Sequence, residues 1–524
     1  MANEGYVIEP NTDIYLLKCP LEMDSQHQLN FANASQQNTY FYGLTKLYMD
    51  NATYQRKDGR LYFDASFDTC LTYNYCMYKN VNYQEKWFYA FITDLRFESN
   101  NSCSCQLVTD VYQTWMFDFT LKKSFIERTH VAKTADTLGA YTYPEGLETG
   151  EYIVYSDGKD STLIPDCVIV GCTVDTSAGQ TSPLTYFSGC YNGVYSGCGY
   201  YRFDNVAQLD AWLNNAVYAQ EGIVCMFMYP KSLAPLATGS TNQVATSGSP
   251  TTKTYGISRI ATLDGYTPKN AKALCYPYCY IRLSNGVGTS NIYHQELWTL
   301  GTNSEMKLQA DAVLCPSGSI RIYPLNYKGV TNNYDEGFSL GKYPQLSWQV
   351  DLYTNWEIQN GVNIMGTPLT ATQFGVYGGA AKGIMNLVTQ NPLEAAGNAG
   401  QIFGALQEQY QHSMIPPAIQ GNTNSGDVSA VNGAMAFKFE RCGVRQEYAK
   451  IIDNYFEMFG YKVNDFAVPN TTSRSKWNYI KTIDVNITGD IPEYDMQKLK
   501  DLYNRGFTIW HDTTHFMDYT QTNS

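Results

Sequence analysis

The 524-residue sequence has few charged residues, and this scarcity excludes several classes of protein. Charged residues make up 16% of the chain, against about 25% in average soluble domains. Hydrophobic residues make up 44%, too many for a disordered chain. The net charge is −13 and no segment is basic, so a groove that clamps nucleic-acid phosphates is not expected. A mildly acidic protein remains compatible with a channel in which DNA slides without being held.

The sequence also lacks the motifs that carry catalysis. It has six histidines, and His511 and His515 are four residues apart without the glutamate of a zinc-binding helix. Asp490, Glu493 and Asp495 could be taken for a glycosidase pair, but they precede or open a predicted helix, where acidic residues favour the positive end of the helix dipole. The sequence contains no nucleophile-elbow motif, no phosphate-binding loop motif and no pattern that would pair a catalytic Cys with a His. We therefore expect no enzyme activity and no cofactor.

The N-terminus lacks the basic and apolar regions of a signal peptide. We therefore expect a protein made in a cytosol, whose 14 cysteines are reduced and mostly buried. Cys103 and Cys105 would place both thiols on one face of a strand, and Cys275 and Cys279 form a second close spacing. Neither has a partner pair at zinc-finger distance, so no metal site is expected.

Tyrosine is the abundant residue, with 44 copies in a chain that is 14% aromatic. Many tyrosines and few charges favour β-structure, so the predicted fold class is mainly β with minor α. A chain of this length holds several domains. The predicted segments are a β domain over 1–135, an inserted α+β domain over 136–256, a β domain over 257–357, a hydrophobic loop over 358–425 and a C-terminal domain with two helices over 426–524.

Local patterns predict particular elements. Alternating polar and apolar residues on either side of the turn signal 99–102 predict a hairpin. Helices are predicted from an N-cap at Asp204, over residues 448–459 before Gly460, and from Pro492 to Gly506. Three positions, Met496, Leu499 and Leu502, form the buried face of the last helix.

Residues 358–406 differ from the rest of the chain, because Lys382 and Glu394 are the only charged residues between Glu357 and Glu408. Two Gly/Ala-rich runs, 375–388 and 395–406, flank Pro392. A stable span needs about 20 continuous apolar residues, and several Asn and Gln residues interrupt this segment, so it is not a permanent anchor. Two interpretations remain open on composition alone: a flexible loop or buried packing hairpin, and a loop that enters a membrane conditionally.

A series of collinear strings lies toward the two ends of the chain: Lys86–Leu95, Asp110–Asp118, Ser124–Val131, Pro144–Leu147, Ile415–Pro417, Gln446–Tyr448, Phe459–Lys462, Asn478–Ile480, Gly489–Ile491 and Gly506–His511. Through these strings the sequence resembles the tail knob proteins of small short-tailed bacteriophages of Gram-positive hosts, whereas residues 150–360 match poorly.

This resemblance implies a virion protein at the distal end of the tail, made in the host cytoplasm. It implies a hexameric tube of β-barrel-like domains, joined to an upstream tail or collar protein, with phage DNA passing through its lumen. It also implies that hydrophobic loops plug the lumen and then form a channel in the host cytoplasmic membrane. The loop maps to residues 361–406, shorter and with fewer bulky residues than is usual, so it would plug the tube without lining a complete pore alone. Its expected membrane-active residues are Ile364, Met365, Phe374, Val376, Tyr377, Gly379, Gly383, Ile384, Met385, Leu387, Val388, Ile402, Phe403 and Leu406.

A second hypothesis is a carbohydrate-binding or cell-wall-degrading tail protein. Its candidate residues would stack on sugar rings if exposed, although ordinary strand or interface tyrosines explain them as well. They are Tyr186, Tyr191, Tyr195, Tyr200 and Tyr201.

Overall fold

The computed structural model describes residues 12–52, 54–55, 60–80, 86–160, 166–172, 189–215, 223–284, 290–300, 304–315, 320–339, 345–347 and 437–524. The chain divides into two compact units. Unit 1 comprises Met1–Gly150, Gly265–Leu274 and Gln446–Ser524, and unit 2 comprises Glu151–Asp264 and Cys275–Arg445. Each unit is therefore assembled from segments that are distant in sequence.

The strands, numbered in chain order, fall into three groups. The first group, in unit 1, is β1 Thr12–Leu17, β2 His27–Leu29, β3 Lys46–Ala52, β4 Tyr54–Gln55, β5 Arg60–Phe63, β6 Tyr75–Asn80, β7 Trp87–Ser99, β8 Ser102–Thr109, β9 Phe119–Leu121 and β10 Ser124–Thr129. The second group, in unit 2, is β11 Tyr152–Asp160, β12 Cys167–Cys172, β13 Gly189–Tyr191, β14 Val194–Ser196, β15 Gly199–Phe203, β16 Ile223–Tyr229, β17 Thr251–Ser258, β18 Cys279–Ser284, β19 Ser290–Tyr293, β20 Glu305–Ala312, β21 Ile320–Tyr327, β22 Val330–Asn332, β23 Phe338–Ser339, β24 Gln345–Ser347 and β25 Phe437–Val444. The third group, in unit 1, is β26 Tyr461–Ala467, β27 Trp477–Ile483, β28 Ile487–Gly489 and β29 Phe507–Trp510.

Helices are fewer than the strands in the described part of the chain. They are α1 Ala34–Gly43, α2 Phe67–Cys70, α3 Val111–Trp115, α4 Val206–Asn215, α5 Gln446–Phe459 and α6 Glu493–Arg505, with 3-10 turns at Lys133–Ala135, Lys231–Leu233, Ala271–Leu274 and Gln295–Leu297. The fold is mainly β, which confirms the predicted fold class.

Unit 1 is built on a seven-stranded sheet of order β3-β1-β6-β7-β8-β5-β4. The sheet curls into a half-barrel, because β3 comes into contact with β5 near the opposite edge. A second sheet has the order β2-β29-β27-β10-β26, in which β2 and β29 are parallel and β10 joins the two C-terminal strands. Segments at the two ends of the chain therefore share one sheet.

The core of unit 1 is rich in large aromatic side chains. Trp477 and Trp510 are fully buried, with ring centroids 5.1 Å apart, and Phe41 stacks on Tyr75 at 5.5 Å. One hydrophobic cluster gathers Ile14, Leu16 and other residues of the seven-stranded sheet with Leu499 and Leu502 of α6. Burial of such side chains stabilises a fold by about 1.5–3 kcal/mol each, so the core accounts for many of the tyrosines and tryptophans.

Unit 2 contains several smaller antiparallel sheets. Their orders are β11-β25-β18-β19, β15-β12-β16-β24, β13-β14 and β17-β20-β21-β22, with β23 also paired to β21. Every residue of β12 is buried, so both faces of this strand are covered. Helix α4 contributes Leu209, which is fully buried, and Trp212, which packs on Phe203.

Most of the predicted local elements are confirmed. The hairpin is β7–β8, and the two C-terminal helices are α5, followed by Gly460 at φ +64°, and α6, followed by Gly506 at φ +89°. Helix α6 buries Leu499 and Leu502, while Met496 is half-buried. The predicted N-cap of α4 is wrong by one residue, because the Asn205 side chain accepts from the backbone N–H of Gln208. The division into five segments remains a prediction.

Candidate functional site at the strands that bracket residues 348–436

The predicted membrane loop, residues 361–406 with its fourteen named side chains, lies outside the described residues. The structure does describe the strands on either side of it. Strand β24 ends at Ser347 and β25 begins at Phe437, and both belong to unit 2. We call these two strands the loop base.

The first strand of the loop base is at the edge of a sheet. Strand β24 pairs antiparallel with β16, with Ser347 opposite Cys225 and Leu346 opposite Met226. Strand β16 is itself anchored by Met226 and Phe227, which are 0% and 1% exposed. The chain therefore leaves the described fold from an edge strand held against a buried one.

The second strand of the loop base is held on both sides. Strand β25 pairs with β11 along its whole length and with β18 from Lys438 to Gly443. Glu440 accepts a hydrogen bond at 2.5 Å from Nε of Arg282 on β18, and this contact raises the pKa of the arginine. The chain thus re-enters the fold in the middle of a sheet.

Two glycines, one on β11 and one on β25, leave room for aromatic rings to lie over these paired strands. A Cβ on Gly158 would lie 2.0 Å from the ring of Phe439, its partner in the β11–β25 register. A Cβ on Gly443 would lie 2.4 Å from the hydroxyl of Tyr155, which donates to the carbonyl oxygen of Val444. Rings that lie over cross-strand glycines fix the pairing of the two strands.

Three of the residues considered for catalysis have structural partners, whereas Asp490 and Glu493 are exposed. Asp495 is 4% exposed and accepts a hydrogen bond at 3.0 Å from Trp115 Nε1. His511 lies between Asn30 and Asn478, at 3.2 and 3.1 Å, and burial lowers its pKa. His515 contacts Asp512 at 2.8 Å. In the part of the chain that the structure describes, no group of three or more His, Cys, Asp or Glu residues could hold a metal ion.

The tyrosines proposed to stack on sugars are mostly inside unit 2. Tyr191, Tyr200 and Tyr201 are 0%, 4% and 2% exposed, whereas Tyr195 is 86% exposed. Tyr186 lies outside the described residues. The stacking role is therefore wrong for the three buried tyrosines, whose faces pack on residues such as Phe227 and Trp212.

A buried polar network in unit 1 was missed by the sequence analysis. Asp453 of α5 is 0% exposed and accepts from Tyr266 Oη at 2.7 Å and from the backbone N–H groups of Lys269 and Asn270 at 2.8 and 3.0 Å. Glu145 contacts both Arg128 and Lys272. These partners are far apart in sequence, so no local pattern could indicate them, although Glu145 lies in the string Pro144–Leu147 that carries part of the resemblance.

None of the helices among the described residues is long and apolar enough to cross a membrane. The described part of the chain is thus a scaffold of sheets with buried ion pairs. Its unusual feature is the loop base, where two well-anchored strands bracket the charge-poor segment.

Comparison with known proteins places the chain in a family. It is similar over nearly its whole length to the tail knob protein gp9 of Bacillus phage PZA, with 26% identity over 97% of this chain and 98% of the relative. The corresponding proteins of Bacillus phages phi29 and B103 are 26% and 25% identical, over 99% of each chain. The solved structure of the bacteriophage C1 tail knob protein, gp12, has the same fold, with a TM-score of 0.64 and 15% identity over 97% of this chain and 98% of that one.

Two family models match the chain. Residues 10–121 match the caudoviral major tail protein N-terminus. Residues 241–524 match the C-terminal domain of the Bacillus phage phi29 tail knob protein gp9. Because the second model spans more than half of the chain, this protein belongs to the tail knob protein family and is a structural protein of the phage virion, at the distal end of the tail.

Proposed function

We propose that copies of this chain form a tube at the tail tip through which phage DNA leaves, and that residues 361–406 close the tube and then enter the host membrane. The proposal has six copies in the ring and no catalytic step. The observation that carries it is the charge-poor composition of residues 358–406, in a chain whose flanking strands β24 and β25 are held in folded sheets.

The loop acts collectively in this proposal. Each copy is too polar to anchor a membrane alone, because Asn386, Asn391 and Asn398 interrupt its apolar runs. In a closed lumen, six copies bury one another as a plug. Once released, their combined apolar area contributes roughly 25 cal/mol per Å² to insertion, so that six loops insert where one does not.

Association of copies is supported by an exposed apolar row on unit 1. Phe466 of β26, Phe125 of β10 and Ile483 of β27 are directly opposite one another in register. They remain 63%, 37% and 53% exposed. Strand β26 is also the edge of its sheet. Contiguous apolar surface of this kind is typical of protein contacts, and a ring forms when such heterologous contacts close by rotation.

We expect deletion of residues 362–406 to leave the assembly intact and to abolish dye release from liposomes. The deletion keeps 348–361 and 407–436 as connectors between β24 and β25, so the loop base is not strained. Mass photometry and negative-stain images check the ring, and fluorescence dequenching measures leakage from anionic vesicles.

A variant with Asn or Gln at Ile384, Leu387, Ile402 and Phe403 is the matched control, because it keeps the chain length while removing apolar area. We expect it to leak much less than the native chain. Leakage at the native rate by the protein that lacks residues 362–406 would refute the proposed role of the loop. Loss of the ring in that protein would refute the expectation that the ring assembles without the loop.

A further inference from the structure

Two buried thiols in unit 1 lie in direct contact. Cys70 is the last residue of α2 and Cys103 is the second residue of β8. Their sulfur atoms are 2.9 Å apart, and the two residues are 1% and 0% exposed. They belong to the same hydrophobic cluster. All fourteen cysteines of the chain are free in the structure.

We propose that Cys70 and Cys103 form a disulfide bond in the mature virion. A disulfide has an S–S length of about 2.05 Å, so the two sulfur atoms need to approach by about 0.9 Å. Helix α2 is one turn long and is followed by a turn, and a small shift of its last residue supplies that approach. The bond would tie α2 to the curled sheet at the β7–β8 hairpin.

Oxidation of the two thiols requires a move from a reducing to an oxidising environment, and a virion protein makes that move. The chain is made in a reducing cytosol, where thiols remain reduced, but a virion protein persists outside the cell, where disulfides form and persist. The bond closes the loop from residue 70 to residue 103, which holds β6, β7 and the start of β8. A cross-link of this kind stabilises a fold mainly by constraining the unfolded chain.

The reaction can be written with a small peroxide as the oxidant. The thiolate of one of the two cysteines attacks one peroxide oxygen, forming a sulfenic acid and releasing hydroxide. The sulfur of the other cysteine then attacks the sulfenic sulfur, its proton leaves with the hydroxyl as water, and the S–S bond forms. The two thiols lose two electrons and the peroxide gains them.

Burial raises the pKa of both thiols. The reaction is therefore slow, since it proceeds through local opening of α2.

Unit 2 contains a second pair of neighbouring cysteines, which serves as an internal control because one of its thiols has a lowered pKa and its strands are farther apart. Cys225 on β16 and Cys198, just before β15, lie over Gly171 of β12, since a Cβ on that glycine would be 2.5 and 3.2 Å from their sulfur atoms. A hydrogen bond from Cys225 lowers the pKa of Cys198 to about 6. However, β12 lies between the two strands, which places them roughly 9–10 Å apart. A disulfide needs Cα atoms within about 7 Å, so we expect this pair to stay unlinked.

The experiment treats the purified full-length chain with hydrogen peroxide, blocks free thiols with iodoacetamide, and maps peptides without reduction. We expect a linked peptide pair containing Cys70 and Cys103, a mass loss of two hydrogen atoms, and a Tm raised by several degrees that a dithiol reverses. The variants Cys103→Ser and, should that fail to fold, Cys70→Ala lose the linked peptide and the Tm shift, whereas Cys198→Ser keeps both. Oxidation at Cys198 without any Cys70–Cys103 link, or a Cys198–Cys225 link in its place, would overturn the inference.

Discussion

Replacing Glu145 by glutamine is expected to destabilise unit 1 by about 3–5 kcal/mol, the usual effect of breaking a buried ion pair. The Glu145 side chain is 0% exposed, and its two cationic partners, Arg128 and Lys272, have side chains 10% and 4% exposed. The carboxylate also accepts from the backbone N–H of Lys462 at 2.9 Å. Without its charge, two desolvated cations remain close together, and their repulsion is no longer offset.

Denaturant unfolding of the native chain and the variant measures this effect. Glu148→Gln is the matched control, because Glu148 is exposed and only three residues away. We expect the control to change the unfolding free energy by less than about 0.5 kcal/mol. Equal stabilities for the Glu145 and Glu148 variants would show that the buried network contributes nothing to unit 1.

A second large effect is expected from pH, through His130. The pKa of His130 is lowered from 6.5 to about 3, mainly by burial and also by the nearby Arg474 and Arg128, while a hydrogen bond to Glu457 opposes the shift. The ring accepts at Nδ1 from the backbone N–H of Tyr479 at 2.7 Å, so Nε2 carries the proton and donates to the Glu457 carbonyl oxygen at 3.0 Å. A second proton at Nδ1 would face the Tyr479 N–H, so the folded state holds the neutral ring.

The sign follows from the lowered pKa. The unfolded chain binds a proton to this histidine below pH 6.5, but the folded chain does so only near pH 3. The contribution of His130 is therefore fully present above pH 6.5 and is lost as the pH falls toward 3. Each pH unit in that window costs about 1.36 kcal/mol, or roughly 5 kcal/mol in total.

Unfolding free energies of the native chain and of His130→Gln, measured from pH 7.5 to pH 4, isolate this contribution. Asp110 acts in the opposite direction, because burial raises its pKa to about 6 and protonation below that value favours the folded state. Its effect is common to both proteins and cancels in the difference. We expect the native chain to lose stability more steeply than the variant on acidification. Parallel pH profiles would mean that His130 has the same pKa in the folded and the unfolded chain, which would contradict the expected shift.

The elements that were predicted correctly from the sequence are those that depend on a local pattern of apolar residues. The hairpin β7–β8 and the helices α5 and α6 each carry a pattern within one segment, and the glycines after the helices have the positive φ values that such termini need. The N-cap of α4 was displaced by one residue because Asp204 and Asn205 are both good capping residues. These features require no knowledge of the rest of the chain.

Features that join distant segments could not be predicted in the same way. Strand β10 pairs with β26 and β27 across more than 300 residues, and Glu145 meets Lys272 across 127. The sequence does not show whether a tyrosine is exposed or buried, which is why Tyr191, Tyr200 and Tyr201 could be either sugar-stacking or ordinary strand residues until the structure placed them in the interior. The contact between Cys70 and Cys103 arises only when α2 packs against β8. By contrast, composition alone separated residues 358–406, because a lack of charge needs no partner to be noticed.

The most direct test of the proposed function is to label the chain with a photoactivatable probe confined to the interior of a lipid bilayer. Trypsin cleaves after Lys342, Lys382 and Lys438, so the loop is recovered in the two peptides 343–382 and 383–438. The account predicts that, in chains that release dye from the vesicles, the label is concentrated between residues 361 and 406. Label confined to peptides from other parts of the chain, or leakage without label in these two peptides, would contradict it.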